Sequence, residues 1–285
     1  MPAKQLFNTL YQILENKHVN KTKALSKHIL WQIRKILKLY PFKIKISNFI
    51  IIVEDKNCGG CALANSMEMY DYNIMNLIKL LSKKENVFFD VGANVGIYSL
   101  IAAEENTVVV YSFEPHPKTF SQLYKNIEIN GLENIIPLKL ALSNTEGRSG
   151  FSDFAESSVN RFVKTGFEPR IIVNKKRGDE ICKEFNVVPS LLKIDVEGFE
   201  LDVLKGFGEY LSHVKFIIVE FGELNNRDAM EIVELCNNKN FEGPFYFNYD
   251  GRLFTREIIK GENNVVFVNR EIIKHLSGIY GLQIR

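Results

Sequence analysis

Two acidic residues stand at the ends of two successive apolar runs, an arrangement that suits nucleoside binding. The first run, Val87–Phe89, leads into Asp90 and a turn of small residues that ends at Gly96. Such a turn brings main-chain N–H groups and a helix N-terminus close to a ligand. The second run ends at Phe113, and Glu114 follows it. In neighbouring parallel strands, the Glu114 carboxylate would lie at the same crevice and accept both ribose hydroxyls.

The spacing of the glycines separates two classes of nucleoside cofactor. The dinucleotide fingerprint is G-x-G-x-x-G, whereas Gly92, Asn94 and Gly96 follow G-x-N-x-G. Asp90 lies just before this turn, where it would repel a pyrophosphate but attract a cationic cofactor that has no phosphate. The pattern therefore predicts S-adenosylmethionine rather than a dinucleotide.

A second pair of acids, Asp195 and Glu197, ends a later apolar run and provides candidates for catalysis. Open sheets bind ligands at the carboxyl ends of their strands, so these carboxylates are expected beside the cofactor. One could accept the proton of an acceptor hydroxyl, or both could hold a divalent metal that lowers the pKa of that hydroxyl. Capping of the following helix is the alternative. Strand alternation places Lys193 on the same side as Asp195, where it can pair with a carboxylate.

Five further ionisable residues extend or compete with this pair. Glu220, Glu223 and Asp179 could add metal ligands, although for the first two a structural role is equally open. His116 follows the ribose acid closely and is expected at the adenine rim rather than at the methyl group. His213 precedes a strand at the opposite edge and is expected at the surface.

Several segments, spread over roughly residues 49 to 269, resemble the FkbM-type class I methyltransferases in sequence, order and spacing. The most specific is Lys-Ile-Asp-Val-Glu-Gly-Phe-Glu, because no generic Rossmann motif predicts it. The resemblance implies methyl transfer from S-adenosylmethionine to a hydroxyl, usually of a sugar, a lipid-linked glycan or a natural product. The matching segments are Asp90–Gly96, Glu114–Pro117, Asn130–Leu132, Ala141–Ser143 and Leu192–Glu200.

The residue pattern and the resemblance together predict the members of the site. Catalysis is expected from Asp195 and Glu197, and a divalent metal would be held by these two acids and Glu220. The residues expected to contact the cofactor are Asp90, Gly92, Ala93, Asn94, Gly96, Glu114, Pro115, His116, Ala141, Leu142, Ser143 and Asp195.

The chain alternates apolar runs with helical stretches as a parallel sheet requires. Near the C-terminus, Asp250 and Gly251 between two apolar runs predict a hairpin, and Val265–Val268 is another expected strand. The predicted fold is α/β and Rossmann-like, of the class I methyltransferase type, with a seven-stranded mostly parallel sheet and a C-terminal antiparallel hairpin. The expected parallel strands are Val87–Val91, Val108–Phe113, Ile135–Leu140, Leu191–Asp195 and Lys215–Glu220, with helices near Gly96–Glu104, Lys118–Ile129, Glu200–Tyr210 and Asn226–Lys239.

The N-terminal part is basic, with eleven basic and three acidic residues up to Lys56, although the whole chain carries only +2. An amphipathic helix is predicted over Lys27–Leu39, ended by Pro41. Three roles are open: packing of its apolar stripe on the catalytic domain, contact with an anionic membrane or lipid-linked substrate through Trp31 as an interfacial anchor, and contact with nucleic acid. The predicted stripe consists of Ile29, Ile33, Ile36, Leu37 and Tyr40.

Composition suits one large α/β domain with an appendage, because 46% of the 285 residues are hydrophobic and 25% are charged. Residues 1–45 are assigned to the basic helical extension and residues 46–285 to the methyltransferase domain. Within that domain, weak periodicity over about 148–178 predicts mobile substrate loops. No apolar run spans a bilayer and no signal-peptide pattern opens the chain, so a cytoplasmic protein is expected, with peripheral contact at the inner membrane face through residues 27–40 as an addition.

Cys58 and Cys61 form a C-x-x-C motif without a second motif of that kind. The expected structure is a hairpin turn made by Gly59 and Gly60 after the strand Phe49–Val53, with a redox or zinc role as the alternative. Four cysteines at irregular spacing are too few for a disulfide framework in a chain of this size.

Two other functions stay open. Many class I enzymes methylate RNA, and the basic N-terminal segment could contact phosphates. Nucleic acid is disfavoured because the fourth strand ends in Ile-Asp-Val-Glu rather than the Asp/Asn-Pro-Pro-Tyr/Phe that resembles base-amine methyltransferases. A fold that binds a nucleoside without chemistry is disfavoured because Asp90, Glu114, Asp195 and Glu197 are all present.

Overall fold

The computed structural model describes residues 10–11, 13–14, 20–55, 58, 61–67, 72–154, 160–163, 168, 170–222, 226–248, 252–255 and 264–284. The helices are α1 (Lys21–Ile36), α2 (Cys61–Met67), α3 (Tyr72–Ser82), α4 (Ile97–Ala102), α5 (Pro117–Ile129), α6 (Gly178–Phe185), α7 (Glu200–Gly206), α8 (Asn226–Asn238) and α9 (Arg270–Ile273). The strands are β1 (Phe42–Ile46), β2 (Phe49–Val53), β3 (Val87–Val91), β4 (Val109–Phe113), β5 (Ile135–Leu138), β6 (Ala141–Ser143), β7 (Gly147–Phe151), β8 (Ile171–Arg177), β9 (Leu191–Ile194), β10 (Phe216–Glu220), β11 (Phe241–Asn248), β12 (Arg252–Phe254), β13 (Asn264–Asn269) and β14 (Gln283–Ile284).

The largest sheet in the described chain has nine strands in the order β14-β12-β11-β13-β10-β9-β3-β4-β5. Strands β10, β9, β3, β4 and β5 are parallel, and β13 runs antiparallel between β10 and β11. The predicted α/β class and mostly parallel sheet are confirmed. The sheet exceeds seven strands because β12 and the short β14 add to its edge. Strand β12 pairs antiparallel with β11, and the Asp250–Gly251 turn between them lies outside the described residues.

Strand β3 is buried on both faces, and its alternating side chains enter two separate cores. Phe88 packs in the core that includes α3 and α4, and Phe89 packs in the core that includes α6, α7 and α8. Both rings are at most 1% exposed. Burial of a phenylalanine contributes about 1.5–3 kcal/mol, so each core fixes β3 from its own side. The carboxyl end of β3 is therefore a firm base for the loop that follows it.

A second sheet, of three strands in the order β6-β8-β7, stands beside the main one. Part of the segment predicted as mobile loops, residues 148–151 and 171–177, forms strands β7 and β8 instead, so that prediction is wrong there. These strands carry mixed polar and apolar residues with little alternation, which is why periodicity does not reveal them. The loop predictions at residues 155–159, 164–167 and 169 lie outside the described residues.

The N-terminal helix differs from its prediction in its bounds and in the face that it buries. Helix α1 spans Lys21–Ile36 rather than Lys27–Leu39, and the end of the predicted helical extension, residues 42–45, belongs to strand β1. Trp31, the expected interfacial anchor, is only 3% exposed and packs edge-on against Phe42, with ring centroids 5.3 Å apart. The stripe expected to pack on the catalytic domain is largely exposed, since a helix with two apolar faces can bury only one of them here. Among the described helices, none is both long and apolar enough to cross a membrane.

The Cys58–Cys61 motif does not join two strands, because Cys61 begins helix α2. Strand β2 pairs back onto β1, so the hairpin of this region turns at Ser47 and Asn48, before β2. The two cysteines are joined by a disulfide, and the second one begins α2. Gly59 and Gly60 lie outside the described residues.

Candidate active site

A cavity of about 190 Å³ opens at the carboxyl edge of β3, β4, β9 and β10. The sequence predicts a site at this edge, and ten of the predicted residues line the cavity. These ten are Gly92, Ala93, Asn94, Glu114, Pro115, Ala141, Leu142, Asp195, Glu197 and Glu220. The other lining residues are Val91, Val95, Ile97, Tyr98, Phe113, Phe151, Asn160, Phe162 and Val196.

The turn after β3 approaches the neighbouring strand so closely that glycine is required. Gly92 has φ +83°, and a Cβ placed on it would lie 1.9 Å from the main-chain oxygen of Asp195. Gly96 has φ +91°, and its Cβ would lie 2.5 Å from a methyl group of Leu123. Asn94 adopts φ 51°, a left-handed conformation that asparagine tolerates. The loop after β3 therefore lies against the start of the loop that carries Asp195. Together these two loops form the floor of the cavity.

Glu114 is held by the main chain on both of its carboxylate oxygens. Oε2 accepts a hydrogen bond from the Asn94 N–H at 3.0 Å, and Oε1 accepts one from the His116 N–H at 2.9 Å. Burial raises the pKa of Glu114 to about 7, although these two N–H donors oppose the shift. The carboxylate is thus fixed in place with a second lone pair on each oxygen still available.

Asp90 does not line the cavity, in contrast to its prediction. Alternation along β3 directs its side chain to the same side as Phe88, where it is fully buried. Its Oδ2 accepts a hydrogen bond from Ser99 Oγ at 2.5 Å, and that hydroxyl lies 2.7 Å from Ser112 Oγ. Burial raises the pKa of Asp90, and Lys193 opposes the shift. Asp90 therefore ties β3 to α4 and β4 beneath the site.

An acid cluster, composed of Asp195, Glu197 and Glu220, forms the other half of the cavity. Carboxylate oxygens of the three residues lie within 4.8 Å of one another. Lys193, whose side chain is fully buried, donates a hydrogen bond from Nζ to Asp195 Oδ2 at 2.9 Å. The same ammonium lies 4.3 Å from the centroid of the Tyr98 ring, a cation–π contact. The pairing expected for Lys193 is present.

Charge crowding sets the protonation of the acid cluster. Burial acts to raise the pKa of Asp195, but Lys193 and a hydrogen bond from Glu220 outweigh it and lower the pKa. Burial and the neighbouring Asp195 raise the pKa of Glu220. Burial acts to lower the pKa of Lys193, but Asp195 and Asp90 outweigh it and raise that pKa. These interactions thus favour the charged forms of Lys193 and Asp195 and the protonated form of Glu220.

Glu200, which the sequence did not single out, organises the loop that carries this cluster. Its Oε1 accepts hydrogen bonds from the N–H groups of Val196 and Gly198, each at 3.1 Å. The loop needs such support because Glu197 has φ 58° and Gly198 has φ 95°. Glu200 is 1% exposed, and burial raises its pKa to about 7. The N-cap residue of α7 is Phe199, which makes no side-chain cap, so Glu200 supports the loop before the helix rather than capping the helix.

Aromatic residues from outside the predicted motifs form one wall of the cavity. Phe162 contacts Phe151 on one side and Phe199 on the other, with ring centroids 5.6 Å and 5.2 Å apart. Asn160 is held by Ser152 Oγ, which donates to its Oδ1 at 3.0 Å. Phe151, Asn160 and Phe162 fall in the segment of weak periodicity, where only the concentration of aromatic residues could have signalled a wall.

Several predicted residues lie outside the cavity lining. His116 caps α5, accepting a hydrogen bond from the Thr119 N–H at 3.4 Å, and its Nε2 lies 3.1 Å from Asp153. Asp179 pairs with Arg177 at the start of α6, and the hydrogen bond from Arg177 lowers its pKa. Glu223 lies outside the described residues. The other predicted residues not in the lining are Gly96, Ser143 and His213.

The chain is similar in sequence to known methyltransferases. The hexuronic acid methyltransferase AglP of Haloferax volcanii is 32% identical over 151 residues, which cover 53% of this chain and 62% of AglP. The chain thus spans less than two thirds of that relative's length. The 2-O-methyltransferase NoeI of Sinorhizobium fredii is 25% identical over 166 residues, 52% of this chain and 68% of NoeI. The structure of M. jannaschii TYW2 in complex with AdoMet aligns with a TM-score of 0.44 at 14% identity, covering 80% of this chain and 84% of that one.

The family model described as the methyltransferase FkbM domain matches residues 90–248. This match covers more than half of the chain. It begins at Asp90 and includes Glu114 and the whole acid cluster. The chain therefore belongs to the FkbM methyltransferase family.

Proposed function

We propose that the protein transfers the methyl group of S-adenosylmethionine to a hydroxyl group of a sugar. The observation that carries this proposal is that Glu114, fixed by two N–H donors, and the acid cluster line one cavity. Family membership supports methyl transfer. The activities for which AglP and NoeI are named support a sugar hydroxyl as the acceptor.

Glu114 is suited to hold the ribose of the cofactor. Each of its oxygens accepts one main-chain N–H and keeps a lone pair for one ribose hydroxyl. Hydroxyl donors stabilise an ionised carboxylate, which favours cofactor binding when Glu114 is deprotonated. Ala141 and Leu142, in the lining, offer apolar surface for the adenine ring.

The acid cluster is suited to receive the proton that methyl transfer releases. As the acceptor oxygen bonds to the methyl carbon, the bond from that carbon to sulfur breaks, and the hydroxyl proton must pass to a base. Asp195 is ionised beside Lys193 and lines the cavity, so we assign the proton to its carboxylate. The protein also has to align the acceptor with the methyl group, and the Phe151 and Phe162 wall provides a surface for this.

The same donor set fits a divalent metal such as Mg²⁺. Hard cations prefer oxygen ligands, and the three carboxylates of the cluster converge within 4.8 Å. A cation would relieve the like-charge crowding that raises the pKa of Glu220. Asp195, Glu197 and Glu220 would hold such an ion, whose chemistry would be to lower the pKa of the acceptor hydroxyl.

Calorimetric titration of the folded protein with S-adenosylhomocysteine tests the cofactor assignment. Saturable binding to one site per chain is expected. The absence of binding to folded protein, with and without uronic acids or sugars present, would overturn the proposal.

Transfer of a labelled methyl group to uronic acids, neutral sugars and RNA tests the acceptor class. Sugar or uronic acid labelling is expected, and Asp195→Asn should lower its rate by about 100-fold or more while changing cofactor affinity by less than about threefold. Loss of activity with chelator and recovery with Mg²⁺ would establish the metal. Labelling of RNA alone would make the protein an RNA methyltransferase, and cofactor binding without any transfer would favour a nucleoside-binding module.

A further inference from the structure

Helix α1 has an apolar face on each side. The inner face, centred on Trp31, is buried. Five apolar residues on the opposite side recur at helical spacing and are exposed, which makes an apolar patch of the kind that marks interaction sites. We name this set the outer stripe of α1: Ile29 (58% exposed), Leu30 (46%), Ile33 (45%), Ile36 (76%) and Leu37 (61%).

The inner contacts of α1 fix the direction in which the outer stripe points. Trp31 packs on the Phe42 ring, and the Arg34 guanidinium lies 4.6 Å above the same ring. Phe42 lies on β1, which pairs with β2. Strand β2 is hydrogen-bonded to the end of α5, because the Ile50 N–H donates to Asn130 Oδ1 at 2.8 Å. Turning the outer stripe inward would expose Trp31 and break these contacts. The stripe is therefore presented to solvent by a rigid support.

The segment that carries the outer stripe is strongly basic. The segment 20–46 contains eight basic residues and no acidic ones. Lys43 and Lys45 are exposed on β1, where Ile44 and Ile46 alternate with them and are buried. Lys45 lines a shallow depression together with Lys23 and Lys27 of α1, so the lysines of strand and helix belong to one surface.

We propose that this surface docks the protein on an anionic membrane, with the outer stripe of α1 lying in the interface. An in-plane helix of this kind buries its apolar side among the lipid headgroups while flanking lysines and arginines pair with anionic lipids. A second copy of the chain is the poorer occupant, because two surfaces with eight like charges each would repel. Nucleic acid would neutralise the basic residues but would leave the apolar residues of the outer stripe exposed to water, so it is also a poorer occupant. The docking does not depend on the proposed methyl transfer.

Vesicle flotation of the full chain, without cofactor or acceptor, tests the proposal. The protein should float with vesicles of phosphatidylcholine and phosphatidylglycerol, and not with phosphatidylcholine alone. Binding should weaken with added salt, because it rests partly on screened charges. Lys35→Glu/Lys38→Glu should weaken it further, since each basic residue near an anionic surface adds to the attraction.

The variant Ile33→Ser/Ile36→Ser tests the outer stripe itself, and Met230→Ser/Ile279→Ser is its matched control. Both pairs are exposed apolar residues, but only the first lies on α1. The first pair should weaken vesicle binding by about tenfold or more, and the control should leave it unchanged. No flotation of the folded wild type, or equal flotation of the two double variants, would overturn the proposal. So would a dimer in sedimentation that Ile33→Ser/Ile36→Ser abolishes, because the stripe would then pair with a second copy.

Discussion

The two halves of the cavity hold their acids by different means. On the side of β3 and β4, Glu114 is positioned by two main-chain N–H groups. On the side of β9 and β10, Asp195, Glu197 and Glu220 crowd together, and the buried Lys193 offsets part of their charge. The first half is thus set by local backbone geometry, and the second by charge balance among side chains from different strands.

The largest expected effect is the loss of charge balance in Lys193→Met. Removal of the ammonium leaves Asp195 without its buried partner, which should lower the free energy of unfolding by about 3–5 kcal/mol. Because Lys193 stabilises ionised Asp195, the loss should be full at neutral pH and shrink in acid, as the Asp195 carboxyl takes up a proton. Chemical denaturation at several pH values measures this.

Lys79→Met is the control for Lys193→Met. Lys79 and Glu104 form a partly exposed ion pair, with Nζ and Oε2 2.5 Å apart and the two side chains 35% and 11% exposed. Its removal should cost about 1 kcal/mol or less. If both variants lose the same stability, charge balance does not hold the second half together and the comparison fails.

The contact between the two halves is tested by Gly92→Ala. The Cβ would meet the Asp195 main-chain oxygen at 1.9 Å, so a loss of about 2–4 kcal/mol in unfolding free energy is expected from strain and displacement together. Gly131→Ala separates the two causes, because Gly131 also has a positive φ, +62°, but has open space around its Cβ position. That control should lose only about 1 kcal/mol. An equal loss in both variants would show that the close approach does not matter.

Glu114→Gln should weaken only the ligand binding of the first half of the cavity, on the side of β3 and β4. Binding of S-adenosylhomocysteine, measured by calorimetry, should fall roughly 30-fold, because the glutamine amide nitrogen cannot accept a hydrogen bond and the remaining oxygen is a neutral acceptor. Since burial raises the pKa of Glu114 to about 7, wild-type affinity should also fall as the pH drops below that value, and the variant should lack this dependence. Glu128→Gln, at an exposed position of α5, is the control and should bind normally.

Glu200→Gln is expected to have the smallest effect and to appear mainly in the pH profile of stability. Glutamine can keep the Oε1 acceptor for Val196 and Gly198, so the change near pH 4.5 should be within about 1 kcal/mol. The pKa of Glu200 is raised from 4.5 to about 7, so its contribution to wild-type stability is full below 4.5 and is lost as the pH rises toward 7. The variant should lose less stability across that range. Parallel profiles for the two proteins would contradict this.

The sequence predicts the central sheet and the first half of the cavity well, for a local reason. Strands such as Val87–Val91 can be recognised as short apolar runs. The glycine turn and Glu114 directly follow such runs in the sequence. Asp90 is the exception within this half. The position of Asp90 in the motif predicts contact with the cofactor. Strand alternation along β3 instead directs its side chain toward Ser99.

The remaining differences arise where non-local packing decides. Helix α1 has two apolar faces, and its contacts with Phe42 and with α2 together determine that the Trp31 face is buried. The role of Glu200 depends on the left-handed conformations of Glu197 and Gly198, which spacing does not reveal. The strands of the small sheet mix polar and apolar residues, so no period marks them.

The place of β3 in the sheet also fixes the order in which a growing chain can complete the two halves. Phe88 pairs with Val110 on one side, after a short stretch of synthesis, and with Leu191 on the other. The second partner leaves the ribosome about a hundred residues after Phe88, and contacts of such long sequence separation form slowly. All residues on the β3 and β4 side of the cavity are therefore synthesised before Lys193 and Asp195 exist. The two halves of the cavity therefore differ in the time at which they are synthesised as well as in their chemistry.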